Sequence, residues 1–201
     1  ARTIQELENA GLAGCHIEDQ FNPKRCGHLD GKNVVDIDTA TKRIRAAADA
    51  RRDPNFLIMA RTDIRATDGI QAAQDRARAL VDAGADAIFP EAMRDLDEFQ
   101  AIRDAVDVPI LANMTEFGKS ELFTVEQLQS VGVNMVIYPV TLLRIAMGAA
   151  EATLETIKRL GTQEVRVPQM LTRARLYELV DYEEYNQFDT SLFNFQIPHT
   201  R

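Results

Sequence analysis

Apolar positions along the chain alternate between helical spacing and short continuous runs, and the alternation predicts the elements. Residues 2 to about 10 place Ile4 and Leu7 on one helical face before Gly11, and Ala13 to Glu18 reads as a short strand. Residues 19–35 are polar, carry Pro23, Gly27 and Gly31, and lack periodicity. A loop this long inside a compact domain tends to be a lid or a binding loop. Asp38 or Thr39 can cap a helix that runs to about Arg52 and turns Ile44, Ala47 and Ala48 inward. Phe56 to Thr62 is a nearly continuous apolar run, as expected of a parallel strand covered on both faces.

The pattern then repeats. A helix from about Ile70 to Ala83 closes at Gly84, and the spacing predicts strands at 85–90, 109–113 and 135–138, with helices at 96–106 and 124–131 between them. Thr141 to Leu160 predicts a longer helix with Leu142, Ile145, Ala146, Ala149 and Ala150 on one side. Residues 169–180 predict another helix, and 182–188 a short one. No stretch looks like a linker and no hairpin signal occurs, so residues 1–201 are expected to form one α/β domain with a parallel sheet and helical crossovers.

Polar and charged residues come after each strand: Glu18 and the loop behind it, Arg61-Thr62-Asp63, Pro90-Glu91, Asn113-Met114-Thr115-Glu116, and Pro139 with Arg144 a turn into the next helix. In α/β barrels that end of the strands carries the active site. Structural alternatives stand beside each: an ion pair at Arg61 and Asp63, a helix cap at Glu91, a turn cap at Asn113. Arg144 in a first helical turn opposes the helix dipole, so a purely structural role is less obvious there. His16 is read as a core histidine, His199 as a solvated tail residue, and Glu183-Glu184 as a solvated face.

Charge narrows the function. The net charge of −8 and pI near 5.0 argue against a nucleic-acid surface. No apolar run approaches the length of a membrane span and no leader pattern precedes the first helix, which points to a cytoplasmic protein. Cys15 and Cys26 lack the spacing of a zinc pair, and one falls in a strand and the other in a loop, so both are expected as free thiols.

The densest chemistry lies in Lys24-Arg25-Cys26-Gly27-His28, beyond the His16-Ile-Glu-Asp-Gln20 strand end. Cationic neighbours favour the thiolate, so the Cys26 pKa is expected to fall, and Gly27 permits a close backbone approach beside the sulfur. These five residues, with Met-Ala-Arg-Thr-Asp at 59–63, Phe-Pro-Glu-Ala at 89–92, Leu-Ala-Asn-Met-Thr-Glu-Phe-Gly at 111–118, Tyr-Pro at 138–139 and Gly-Thr-Gln at 161–163, resemble the isocitrate lyase / phosphoenolpyruvate mutase superfamily, specifically its 2-methylisocitrate lyases.

The resemblance implies a (β/α)8 TIM-type barrel, of which this chain would be the C-terminal portion. It implies Mg2+-dependent cleavage of a small tricarboxylate, 2-methylisocitrate, to pyruvate and succinate. Carried over, Cys26 would be the proton donor on a mobile lid, with Lys24, Arg25, Gly27 and His28 shaping its loop. Arg61, Glu91, Asn113, Met114 and Thr115 would contact substrate, Arg144 and Arg173 would add carboxylate contacts, and Glu18 would stand near the magnesium shell.

The family's Ser-Ser-Gly-type loop and paired metal-binding aspartates have no counterpart in residues 1–12. The expectation is therefore an N-terminally truncated chain with exposed sheet edges, inactive on its own. Two other readings stand: an isocitrate lyase, phosphonomutase or oxaloacetate-processing relative, and a non-catalytic assembly unit. Leu176, Tyr177, Tyr182, Tyr185, Phe188, Phe193 and Phe195 make the C-terminal segment apolar enough to dock on a neighbour. The resemblance implies a homo-oligomer, a helix-swapped dimer or tetramer.

Overall fold

A computed structural model describes residues 1–193; Phe195 and His199 lie outside the described residues. The chain divides into two compact units, Ala1–Leu143 and Arg144–Arg201. The physical reason lies in burial. Apolar side chains from strands and helices of the first unit form a shared core, whereas the described helices of the second bury little beyond Thr156.

The first unit alternates α1 (Arg2–Asn9), β1 (Gly14–Glu18), α2 (Ile37–Ala50), β2 (Leu57–Thr62), α3 (Arg65–Asp82), β3 (Ala87–Pro90), α4 (Leu96–Ala105), β4 (Leu111–Asn113), α5 (Val125–Ser130) and β5 (Met135–Ile137). All the strand pairs are parallel. β1, β2 and β3 are neighbours in that order, β4 pairs with β5, and a parallel bridge between Ile88 and Ile110 links the two sets. The sequential order is what short right-handed helical crossovers produce. Every residue of β3 is buried, whereas β1 and β5 are partly open, as expected of the outer strands.

Strand periodicity sorts the apolar run of β2 into two faces. Ile58 and Ala60 join Ile88, Ile110, Leu80, Phe99 and Ile102 in the core beneath the helices. Met59 joins Ala87, Phe89 and Leu111 in a second cluster, which explains why the run looks continuously apolar. Arg61 shares the parity of Met59 along the strand, and its guanidinium sits 4.9 Å over the Phe89 ring.

Several boundaries differ from expectation, each for a local reason. Asp36, not Asp38 or Thr39, caps α2: its backbone is extended and its carboxylate accepts the Thr39 N–H at 2.7 Å. α3 gains an opening turn from Arg65, interrupted at Gly69, where φ is 84°.

α6 (Thr141–Leu160) forms as predicted, but its apolar face is not turned inward: Leu142 and Ile145 are 83% and 70% exposed. No described element covers that face. A 3-10 turn (Glu164–Gln169) precedes α7 (Arg173–Leu179), and α8 (Tyr182–Phe193) runs beyond the short helix expected at 182–188. Among the described residues, no helix is long and apolar enough to cross a membrane.

Candidate active site

The register of β1 on β2 sets Glu18 directly opposite Arg61, and that of β2 on β3 sets Thr62 beside Pro90. Charged groups from three strand ends therefore meet. Arg61 is the hub: its Nε lies 3.1 Å from Asp63 Oδ2 and 3.4 Å from Glu18 Oε2, and its Nη2 lies 3.4 Å from Glu91 Oε1. Burial acts to lower the Arg61 pKa, but Asp63, Glu91 and Glu18 outweigh it and the net shift is upward. Asn113 at the end of β4 turns its amide toward Glu91, with Nδ2 3.3 and 3.4 Å from the two carboxylate oxygens. Burial, helped by the Asp63 charge, pushes Glu91 above the usual carboxylate range against the pull of Arg61.

The loop at 19–35 is pinned at its base. Gln20 bridges Val34 in antiparallel sense, Val35 N–H donates to Asp19 O at 2.8 Å, and Phe21 N–H donates to Asn33 O at 3.0 Å. The Gln20 side chain holds the Arg25 backbone through two bonds, at 2.8 and 2.9 Å. Lys32, 6% exposed, gives its ammonium to the carbonyls of Gly27 and Leu29. Burial lowers the Lys32 pKa, with Asp63 opposing.

The tip then meets the strand ends. A Cβ on Gly27 would overlap the Glu91 side chain and stand 2.6 Å from Asp63 Oδ1, so only glycine fits there. Cys26 beside it is exposed, and Cys15 is half-buried and also free.

His28 completes the contact. Its Nδ1 accepts the Lys119 N–H at 2.9 Å, so in the neutral ring the proton resides on Nε2, 3.3 Å from Glu91 Oε1. Burial, then the charges of Lys32 and Arg61, lowers the His28 pKa and favours that neutral ring.

This lowering sets the sign of a pH effect. A histidine whose folded pKa lies below its unfolded value of about 6.5 contributes fully above that pH. The contribution is lost as pH falls from there toward the lowered value. Glu91, with a raised pKa, acts in the opposite sense, over the range that runs upward from its ordinary carboxylate value. His28→Asn, which can still accept the Lys119 N–H, is expected to flatten the decline in stability between pH 7 and 5. Urea unfolding midpoints across that range, in the two proteins, check it; identical slopes would place the acid sensitivity elsewhere.

The predicted residues thus separate. Glu18, Gly27, His28, Arg61, Glu91 and Asn113 come together, and Thr115 is buried in the segment after β4. Lys24 does not stand as a free cation beside the sulfur, because its ammonium is paired with Glu18 Oε2 at 2.7 Å.

Met114, which has the parity of Ala112 along the chain, is a core side chain whose sulfur accepts the Phe123 N–H at 3.4 Å. Arg144 and Arg173 belong to the second unit.

The ion pair read at Arg61 and Asp63 is present, and Asp19 stood inside a motif already quoted, whereas Lys32 and Arg76 sit in stretches with no local signature.

Two buried polar atoms next to Glu91, His28 Nε2 and Asn113 Oδ1, have no hydrogen-bond partner. Orphaned atoms of this kind mark a place for a ligand or water. The magnesium expected from the resemblance fares differently. No cluster of three His, Cys, Asp or Glu side chains suited to a metal occurs among the described residues, and Glu18 spends its carboxylate on Lys24 and Arg61.

Comparison with known proteins agrees with this geometry. The chain is 57% identical over 197 residues to a probable 2-methylisocitrate lyase of Corynebacterium glutamicum, covering 98% of this chain and 65% of that protein. It is 48% identical over 187 residues to the 2-methylisocitrate lyase of Salmonella typhimurium, covering 93% and 63%. The chain thus spans about two thirds of the length of these curated relatives.

In three dimensions it superposes with a TM-score of 0.85, at 34% identity, on oxaloacetate acetylhydrolase complexed with 3,3-difluorooxalacetate, covering 98% of this chain and 66% of that one. The sequence model of phosphoenolpyruvate phosphomutase matches residues 1–158. A parallel α/β sheet whose strand ends gather Glu18, Arg61, Glu91 and Asn113 under a cysteine loop is the arrangement those matched residues build, and the chain belongs to the phosphoenolpyruvate phosphomutase family.

Proposed function

We propose that this chain serves the carbon–carbon cleavage of 2-methylisocitrate to pyruvate and succinate. The observation that carries the reading is the pair of orphaned buried atoms, His28 Nε2 and Asn113 Oδ1, beside Glu91 and beneath the Cys26 loop. The relatives named 2-methylisocitrate lyase support the choice of substrate.

In the reaction the hydroxyl of the substrate gives its proton to solvent, and the electron pair left on that oxygen forms the carbonyl of pyruvate. The adjacent carbon–carbon bond breaks, and its electron pair passes to the carbon that becomes part of succinate. The Cys26 thiol gives its proton to that carbon, leaving a thiolate that solvent reprotonates. In this reading Arg61, already held by Asp63, Glu18 and Glu91, would add a substrate carboxylate to its guanidinium, Asn113 Oδ1 would accept from a substrate hydroxyl, and His28 Nε2–H would donate to a substrate oxygen. Self-association belongs to the same reading, supported by the exposed apolar side chains of the second unit, such as Leu154, Tyr185 and Phe188, and checked by sedimentation.

Binding and turnover are measured separately on this chain. Succinate is expected to perturb the NMR signals of the Asn113 side chain and the His28 ring. Product analysis is expected to show pyruvate and succinate in equal amounts wherever 2-methylisocitrate is turned over. Absence of both binding and turnover, or preferential release of oxalate from oxaloacetate, would overturn the reading.

A further inference from the structure

The tip of the Cys26 loop makes a second attachment, to a segment that the chemistry above does not use. His28 Nδ1 accepts the backbone N–H of Lys119, and the Lys119 ammonium meets Asp30 Oδ1 at 2.5 Å. Gly118 lies flat against the imidazole: a Cβ there would stand 2.5 Å from His28 Nδ1 and 3.0 Å from Cε1 and Cγ. The preceding residue, Phe117, takes φ 59°, a left-handed conformation that costs a non-glycine residue and persists only where the surroundings enforce it. The segment after β4 is therefore shaped to receive this ring.

The loop's base is held by backbone bonds between 19–21 and 33–35, so its tip is the part whose position depends on these contacts. We propose that Gly118 and Lys119 are positioning residues whose backbone clasps His28 and keeps the Cys26 loop seated on Glu91.

The parts of the clasp are unequal. The Lys119–Asp30 ion pair joins a largely exposed carboxylate to a partly exposed ammonium, and such pairs contribute little. The bond to Nδ1 ends on a ring that is itself largely covered, with the His28 side chain 5% exposed, and it also fixes which ring nitrogen faces Glu91. Hence the backbone of 118–119 carries the clasp and the Lys119 side chain only trims it. The inference concerns how the loop is seated, and it stands or falls independently of which substrate is cleaved.

Amide hydrogen exchange on the full chain tests it without any assay of turnover. The Lys119 amide and the amides of 24–30 are expected to exchange about five- to tenfold faster in His28→Ala, the scale of one net hydrogen bond. His28→Asn, whose Oδ1 can accept the same N–H, is expected to restore protection, and Lys119→Ala, which keeps the N–H, to change it less than about twofold. Gly118→Ala is expected to match His28→Ala. Unchanged exchange in His28→Ala, failure of asparagine to rescue, or an equally large effect of Lys119→Ala would each overturn the proposal. Should Gly118→Ala not fold, the histidine pair and the lysine variant still decide it.

Discussion

If the proposed lyase reaction holds, then wherever 2-methylisocitrate is turned over by a protein carrying this chain, Cys26→Ser is expected to slow pyruvate release about 10²–10⁴-fold while changing substrate affinity only slightly. The side chain is exposed at the tip of a loop whose next residue rests against Glu91 and Asp63, so serine fits without disturbing the fold. Serine differs in the property that matters: an alcohol holds its proton far more tightly than a thiol, so it is a poor donor to a carbon bearing a newly released electron pair. Because the carbon is protonated only after bond breaking begins, the loss is expected in kcat rather than in KM. Steady-state kinetics with 2-methylisocitrate, alongside succinate binding, separate the two. Undiminished kcat in the serine variant would remove Cys26 from the reaction and leave it a solvent-facing thiol.

The second large effect concerns residues away from the reacting groups. Arg76 of α3 is 6% exposed and gives Nη1 to Asp19 Oδ2 at 2.9 Å and to Val35 O at 2.8 Å. Asp19, 2% exposed, also accepts the Thr62 hydroxyl at 2.6 Å and the Asp63 N–H at 3.0 Å. One buried ion pair thus ties a helix, both ends of the loop and the end of β2 together.

Arg76→Met keeps most of the volume and removes the charge. It leaves a buried carboxylate short of a partner and a buried carbonyl unsatisfied. Breaking such a pair from one side costs about 3–5 kcal/mol. In a chain of this size that lowers Tm by roughly 6–20 °C. Asp19→Asn added to Arg76→Met should recover part of the loss, since an amide is cheaper to bury than an unpaired carboxylate. Thermal unfolding of the three variants measures this; a melting temperature within about 2 °C of the parent for Arg76→Met would show that water reaches the pair and the brace is weak.

Much of the fold was open to inspection in the linear pattern. The run at 56–62 and the β-strand at 87–90 could be placed because parallel strands covered on both faces stay apolar throughout. Glu18, Arg61, Glu91 and Asn113 could be grouped because each lies at or just past a strand's end, and parallel strands present the same end on one side of the sheet. Helix starts were harder. Asp36 and Asp38 are equally good caps by composition, and only the extended backbone at Asp36 selects it. The exposed face of α6 was unreadable for a different reason: amphipathic spacing tells that a face is apolar, not that anything covers it.

Unaided, the order of residues determined the strand–helix alternation, the common end at which the polar groups collect, and the thiol-bearing loop between the first strand and α2. These are short-range properties, set by side-chain period and by the residue types placed just beyond each strand. Tertiary structure alone decided which charges pair. Lys24 is taken up by Glu18, buried Lys32 holds the Gly27 carbonyl, Arg76 reaches Asp19 across 57 residues, and Lys119 meets His28 across 91. Such partners are fixed by strand register and by the desolvation of each group on burial, and neither quantity is written in local spacing.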